Sequence, residues 1–106
     1  MALSKSTIIF NFNQAKAQAN ELDEIANSLS QLSTRDFNNA MQNIAANWKS
    51  ENATIYLGKG ERLQEDITST ANSLRNVASD IRIIAKRIYD AEMAAYERAK
   101  RRRYNK

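Results

Sequence analysis

The residues with the chemistry to act as acids, bases or ligands are few and of limited kinds. Glu61 and Glu65 stand one helical turn apart, as do Arg62 and Asp66, so a helix would carry each pair on one face. Paired carboxylates can exchange protons with a substrate, but here they would act unaided. The 106 residues contain no His and no Cys. That removes the imidazole base, the usual zinc and di-iron ligand sets, the thiol nucleophile and any disulfide framework. A Gly-rich phosphate loop is also missing, because the only two glycines are Gly58 and Gly60. The charged pairs therefore read as a solvated, salt-bridged helix surface. The chain reads as a non-enzyme with no cofactor and no metal.

Its charge is placed unevenly. Residues 1–50 carry four basic and four acidic groups, and residues 51–97 carry six and eight. The last nine residues, Arg98 to Lys106, hold six basic groups and no acid. The formal +4 thus belongs to the tail. Six cations could neutralise phosphates, yet no basic face continues onto the body and Tyr104 is the tail's one aromatic platform. Nucleic acid or an anionic membrane surface is the lesser reading of this tail. A solvated segment, or one that contacts other proteins, is the main one; cations at a helix C-terminus also complement its dipole.

Elements that could position any of these groups must be helical. There is no Pro, and Gly does not punctuate the chain as an all-β fold would require. Residues 1–12, with Ile8, Phe10 and Phe12 alternating, read as an extended lead-in. Asn11 and Gln14 have capping-box spacing, with Asn13 an equally good cap, which starts helix one at residue 13 and carries it to 47. Ala15, Ala19, Leu22, Ile25, Leu29 and Leu32 follow three-and-four spacing. Phe37, Met41, Ile44 and Trp48 resume it after a gap of five. At that slip the helix either unwinds locally or kinks near Ser33, and a continuous helix is the favoured reading.

Residues 48–52 read as the turn, and helix two occupies 53–100 with a basic tail over 101–106. Within helix two, Ile67, Leu74, Ile81, Ile88 and Ala95 form one heptad row, while Leu63, Thr70, Val77, Ile84 and Ala91 form the other. Gly58 and Gly60 near its start each cost roughly 1 kcal/mol relative to Ala within a helix; close approach of the two helices is the main reading and a flexible or frayed helix start the other. The fold expected is all-α: an antiparallel helix-turn-helix hairpin that dimerises into a four-helix bundle. Its bundle interface is expected from Leu22, Ile25, Leu29, Leu32, Phe37, Met41, Ile44, Leu63, Ile67, Leu74, Val77, Ile81, Ile84 and Ile88.

A helical hairpin of this size with one Trp at its turn resembles the WXG (Trp-X-Gly) superfamily, the early-secreted-antigenic-target-like proteins of type VII secretion. Trp48-Lys49-Ser50 at the turn, Tyr56, Gly58 and the heptad stretch Leu63–Ile88 carry the resemblance. Ser50 stands where the family has Gly. The family's export signal, Tyr followed after three residues by an acid, is not matched: Tyr89 meets Glu92 at the wrong spacing, and Tyr96 meets Lys100. A looser apolar-x-x-x-acidic pattern is met by Ile88 with Glu92 and by Met93 with Glu97.

The resemblance implies a small type VII substrate, or a helical partner for the N-terminal region of a larger LXG-type toxin. It implies a homodimer or a heterodimer, and contact with the secretion ATPase through Ile88, Tyr89, Glu92, Met93, Glu97, Arg101, Arg102 and Arg103. A cytoplasmic stage followed by signal-peptide-independent export is implied too; Ile8-Ile9-Phe10 is too short for a signal-peptide core or a membrane span. The alternative from another class is a cytoplasmic coiled-coil adaptor or phage-type assembly protein, in which the heptad seam is the whole function.

Overall fold

The structure, a computed structural model, describes residues 3–48 and 51–104. Its elements are α1 (Lys5–Gln31), a π-helical segment (Leu32–Phe37), α2 (Asn38–Asn47) and α3 (Glu51–Tyr104). No strand occurs among the described residues.

The stretch expected to be an extended lead-in is instead the start of α1. Ser4 is the cap: its Oγ accepts the Thr7 backbone N–H at 3.2 Å, and its carbonyl accepts the Ile8 N–H at 3.1 Å. One of the donors left open at every helix start is thereby satisfied. Asn11 and Asn13 lie inside the helix. The β-branched Thr7-Ile8-Ile9 run is a mediocre helix former, but helical geometry buries Ile8 to 1% exposure. Burial outweighs a few tenths of a kcal/mol of propensity.

At the slip near Ser33 the chain stays helical. Gln31 and Asn38, on either side of the π segment, both have right-handed helical dihedrals. A π-turn spans five residues per hydrogen bond instead of four, and the apolar pattern steps by five from Leu32 to Phe37. The widened turn thus absorbs one extra residue and returns the following residues to the same face. α2 ends where Trp48 adopts extended dihedrals, φ −114° and ψ 111°. Of the turn motif, Lys49 and Ser50 lie outside the described residues. α3 starts at Glu51, two residues before the expected boundary, and takes in Arg101, Arg102 and Arg103 as its last turn. Glu51 at its first turn and the arginines at its last suit the helix dipole.

The chain divides into two compact units: residues 1–21 with 77–106, and residues 22–76. In each, helical segments run antiparallel, because partner numbers fall as the first number rises. In the unit 22–76, Ser33 meets Gln64 and Thr68, and Asn27 meets Arg75. In the other, Asn20 meets Arg82 and Phe12 meets Tyr89. Each unit is thus hairpin-like in its pairing.

Apart from Ile8, the buried rows consist of small residues. Ala26, Ser33, Ala53 and Ala71 are buried in the unit 22–76, and Ile8, Ala19, Ala78 and Ala85 in the other. Alanines at the contact allow helices to come close but bury little apolar area. The heptad seam expected from Leu63, Thr70, Val77, Ile84 and Ala91 is therefore not the intramolecular one. All five are exposed, and the seam is carried by the residues one position on, such as Ala71, Ala78 and Ala85.

Of the two glycines, only Gly60 marks a close approach. A Cβ built there would lie 2.8 Å from Met41 Sδ and 3.5 Å from a Phe37 ring carbon. At Gly58 nothing lies within 4 Å.

Candidate functional site

Positions counted from each buried residue define the two flanks of a helix pair. Residues one and four before a buried position emerge on one side; residues one and four after it emerge on the other. An antiparallel pair has a two-fold axis normal to the plane of its helices. Residues displaced in the same rotational sense therefore face the same side on both helices.

Before Ala26, Ser33, Ala78 and Ala85 that first side is apolar at both positions. In the unit 22–76 it holds Leu22 and Ile25 ahead of Ala26, Leu29 and Leu32 ahead of Ser33, Ile67 ahead of Ala71, and also Leu63 and Tyr56. In the unit of residues 1–21 and 77–106 it holds Val77 ahead of Ala78, Ile81 and Ile84 ahead of Ala85, and Ile88. Leu22, Leu29, Ile67 and Ile81 are half-buried at the edge of the seam, as is Leu74, four before Ala78. Ile25, Leu32, Leu63, Val77, Ile84 and Ile88 remain exposed, from 42% at Leu32 to 52% at Ile84. An apolar side chain exposed singly is ordinary, whereas a repeated row on one side marks an interaction surface.

After Ala19, Ala26, Ala71 and Ala78 the opposite side is polar and closed by hydrogen bonds. Arg75 Nη2 donates to Ser30 Oγ at 2.7 Å and Asn27 Oδ1 at 3.1 Å. Arg82 Nη2 donates to Asn20 Oδ1 at 2.9 Å. Ser33, buried within the π segment, shares a hydrogen bond with Thr68 Oγ1 at 3.0 Å and donates to the Gln64 carbonyl at 3.2 Å; Gln64 Nε2 donates back to the Ser33 carbonyl at 2.6 Å. These contacts fix the antiparallel register without using the large aliphatic side chains.

Near the chain reversal, Phe37, Ala40, Met41, Ile44, Trp48, Tyr56 and Gly60 line an open apolar cup of about 470 Å³. Phe37, Met41 and Ile44 are half-buried, while Trp48 and Tyr56 are exposed. Trp48, a residue type that would suit a core plug at the end of a hairpin, is instead a rim residue, 56% exposed. Sequence reasoning grouped Trp48 with Tyr56 and Gly58 as a turn motif. The structure brings Trp48 and Tyr56 to this cup and puts Gly60, not Gly58, in its lining.

The predicted recognition segment is dispersed around α3. Tyr89 packs on Phe12 with ring centroids 4.6 Å apart. Glu92 and Met93 are half-buried, and Glu97, Arg101, Arg102 and Arg103 are exposed. Sequence reasoning missed Arg75 and Arg82, whose side chains fasten the polar side. Their seven-residue spacing, one turn after Ala71 and Ala78, was the available signal.

No family model, curated protein or solved structure matches this chain. Among the described residues there is no group of His, Cys, Asp or Glu that could hold a metal ion. None of the helices, within those residues, is long and apolar enough to cross a membrane. What the arrangement can do chemically is bind another apolar helical surface.

Proposed function

We propose that this protein is a helical docking partner: it offers the apolar side of its antiparallel helix pairs to a second helical protein, which completes a bundle. The observation that carries the proposal is the inverted use of residue sizes. Alanines occupy most of the intramolecular seam, while Leu63, Val77, Ile84 and Ile88 on α3, with Ile25 on α1 and Leu32 at the start of the π segment, stand half out of it. Fully burying such a side chain contributes about 1.5–3 kcal/mol, so covering each half-exposed one adds roughly 1 kcal/mol before association costs.

Within that reading, the WXG-like sequence features favour a role in type VII secretion. It serves as a small substrate or, preferentially, as the helical partner of an LXG-type N-terminal region, a role that its mismatched Tyr89–Glu92 signal and basic C-terminal segment favour. The test is co-expression with a protein carrying such a region, followed by purification and mass determination in solution. A stable heteromeric complex, and appearance in culture supernatant only when the type VII ATPase is intact, is the expected outcome. A homodimer that ignores every such partner and stays in the cytosol supports the coiled-coil adaptor instead.

A further inference from the structure

In the unit of residues 1–21 and 77–106 the apolar row belongs to one helix alone. Val77, Ile84 and Ile88 are exposed and Ile81 is half-buried, all on the same side of α3. On that side α1 shows Thr7, Asn11, Gln14 and Gln18, all exposed and polar. A row carried by a single helix is too narrow to cradle another in a groove between two. It has instead the form of a coiled-coil seam, which takes one facing helix.

The charges beside the seam select what can face it. Asp80 and Arg87 stand one heptad apart, each directly before a seam residue, Ile81 and Ile88. Both are exposed, and neither has a hydrogen-bond or ion-pair partner among the described residues. Charges at this flanking position set the orientation and register of paired helices. In an antiparallel two-fold pair, Ile81 can face Ile84 of a second copy while Val77 faces Ile88, so every layer joins two large β-branched side chains. In that register the residue before Ile81 meets the residue three after Ile84. Asp80 of each copy then meets Arg87 of the other, and the symmetry makes this ion pair twice.

Other arrangements lose the match. A slip of one heptad in one direction sets Asp80 against Asp80 across the two-fold axis, and a slip in the other sets Arg87 against Arg87. A parallel pair brings each flanking charge to the residue five further on. For Asp80 that is the buried Ala85, and for Arg87 the half-buried Glu92. Only the first arrangement joins opposite charges that both lie open to solvent.

We propose that a second copy of this chain covers the row from Val77 to Ile88. The two helices run antiparallel about an axis between Ile81 and Ile84, and Asp80–Arg87 ion pairs fix their register. The proposal rests on the docking reading and adds regulation to it: self-pairing occupies part of the same row and gives way when the helical partner binds. Four side chains per copy leave little after association costs. The self-pair is therefore weak, forming at about 100 µM and above, and a partner that also covers Ile25 and Leu63 displaces it.

The test uses the full chain with its charges exchanged one at a time, as Asp80→Arg and Arg87→Asp. Sedimentation equilibrium from about 10 µM to 1 mM measures the association constant, and circular dichroism checks that both variants fold. Each variant alone should self-associate about tenfold or more weakly than the unaltered chain, because like charges then meet at both pairs. An equimolar mixture of the two should recover the original association constant, since each supplies the charge that the other lacks. An unaltered chain that stays monomeric at about 1 mM overturns the proposal, as does a mixture that associates no more strongly than its components. If the mixture recovers pairing and no LXG-type partner binds, the docking reading falls and self-pairing stands. If a partner binds every form while the mixture fails to recover, self-pairing alone falls.

Discussion

Replacing the two glycines of α3 one at a time separates local helix propensity from contact between helices. Gly→Ala inside a helix gains about 0.8–1 kcal/mol. At Gly58 an added Cβ has nothing within 4 Å, so Gly58→Ala should realise that gain in full. At Gly60 the Cβ would stand 2.8 Å from Met41 Sδ, inside van der Waals contact by roughly 0.6 Å. Met41 is flexible and half-buried, so it can swing aside. Its displacement from the Phe37 and Ile44 neighbourhood costs about as much as the propensity gain, since mild overpacking runs at about 1 kcal/mol. Gly60→Ala should therefore be close to neutral, and the bulkier Gly60→Val clearly destabilising. Urea and thermal unfolding followed by far-UV circular dichroism measure this. For a chain of 106 residues, the Gly58 gain corresponds to about 4 °C in Tm. Equal stabilisation by both alanines would refute the reasoning, because it would mean that α2 and α3 do not approach closely at Gly60.

Two further outcomes follow from the polar contacts. Ser33→Ala, at a position 1% exposed, removes the Oγ bonds to Thr68 and the Gln64 carbonyl and should cost about 1–2 kcal/mol in the same unfolding assays. Arg75→Met keeps an aliphatic stem but loses the donors to Ser30 and Asn27; about 1 kcal/mol of destabilisation is expected. That loss should change little with salt, since both acceptors are neutral, whereas a cost that shrinks steeply with added salt would point to an ion pair instead.

Much of the helical fold was legible in the sequence. Missing Pro, scarce Gly and long three-and-four spacing left no room for strands, and the step of five at Leu32–Phe37 announced the widened turn at Ser33. Two parts were not legible. The first turns of α1 were hidden because Thr7, Ile8 and Ile9 favour extended backbone locally, and only the burial of Ile8 and the Phe12–Tyr89 contact reverse that preference. The intramolecular seam was hard to read because hydrophobicity ranks Leu63, Val77 and Ile84 above Ala71, Ala78 and Ala85. Close helix approach rewards the small residue instead. The repeats at 19, 26 and 33 and at 71, 78 and 85 carried that signal, which matters for function: the large side chains left outside the seam are the candidate site. Trp48 shows the same limit, since residue type suggests a core plug while its position after the last turn of α2 makes it a rim.

The docking account is tested most directly by thiol accessibility. The chain has no cysteine, so single substitutions label cleanly. Leu63→Cys and Ile84→Cys report on the apolar side, while Glu65→Cys and Ser79→Cys report on the polar one, all four positions being exposed. Alkylation rates are measured alone and with a saturating LXG-type helical N-terminal region. The account predicts that the partner slows modification at 63 and 84 about tenfold or more, as expected for sites covered by a bound helix, and leaves 65 and 79 unchanged. Protection of 65 and 79, or unchanged rates at 63 and 84 in a complex that has demonstrably formed, would contradict it.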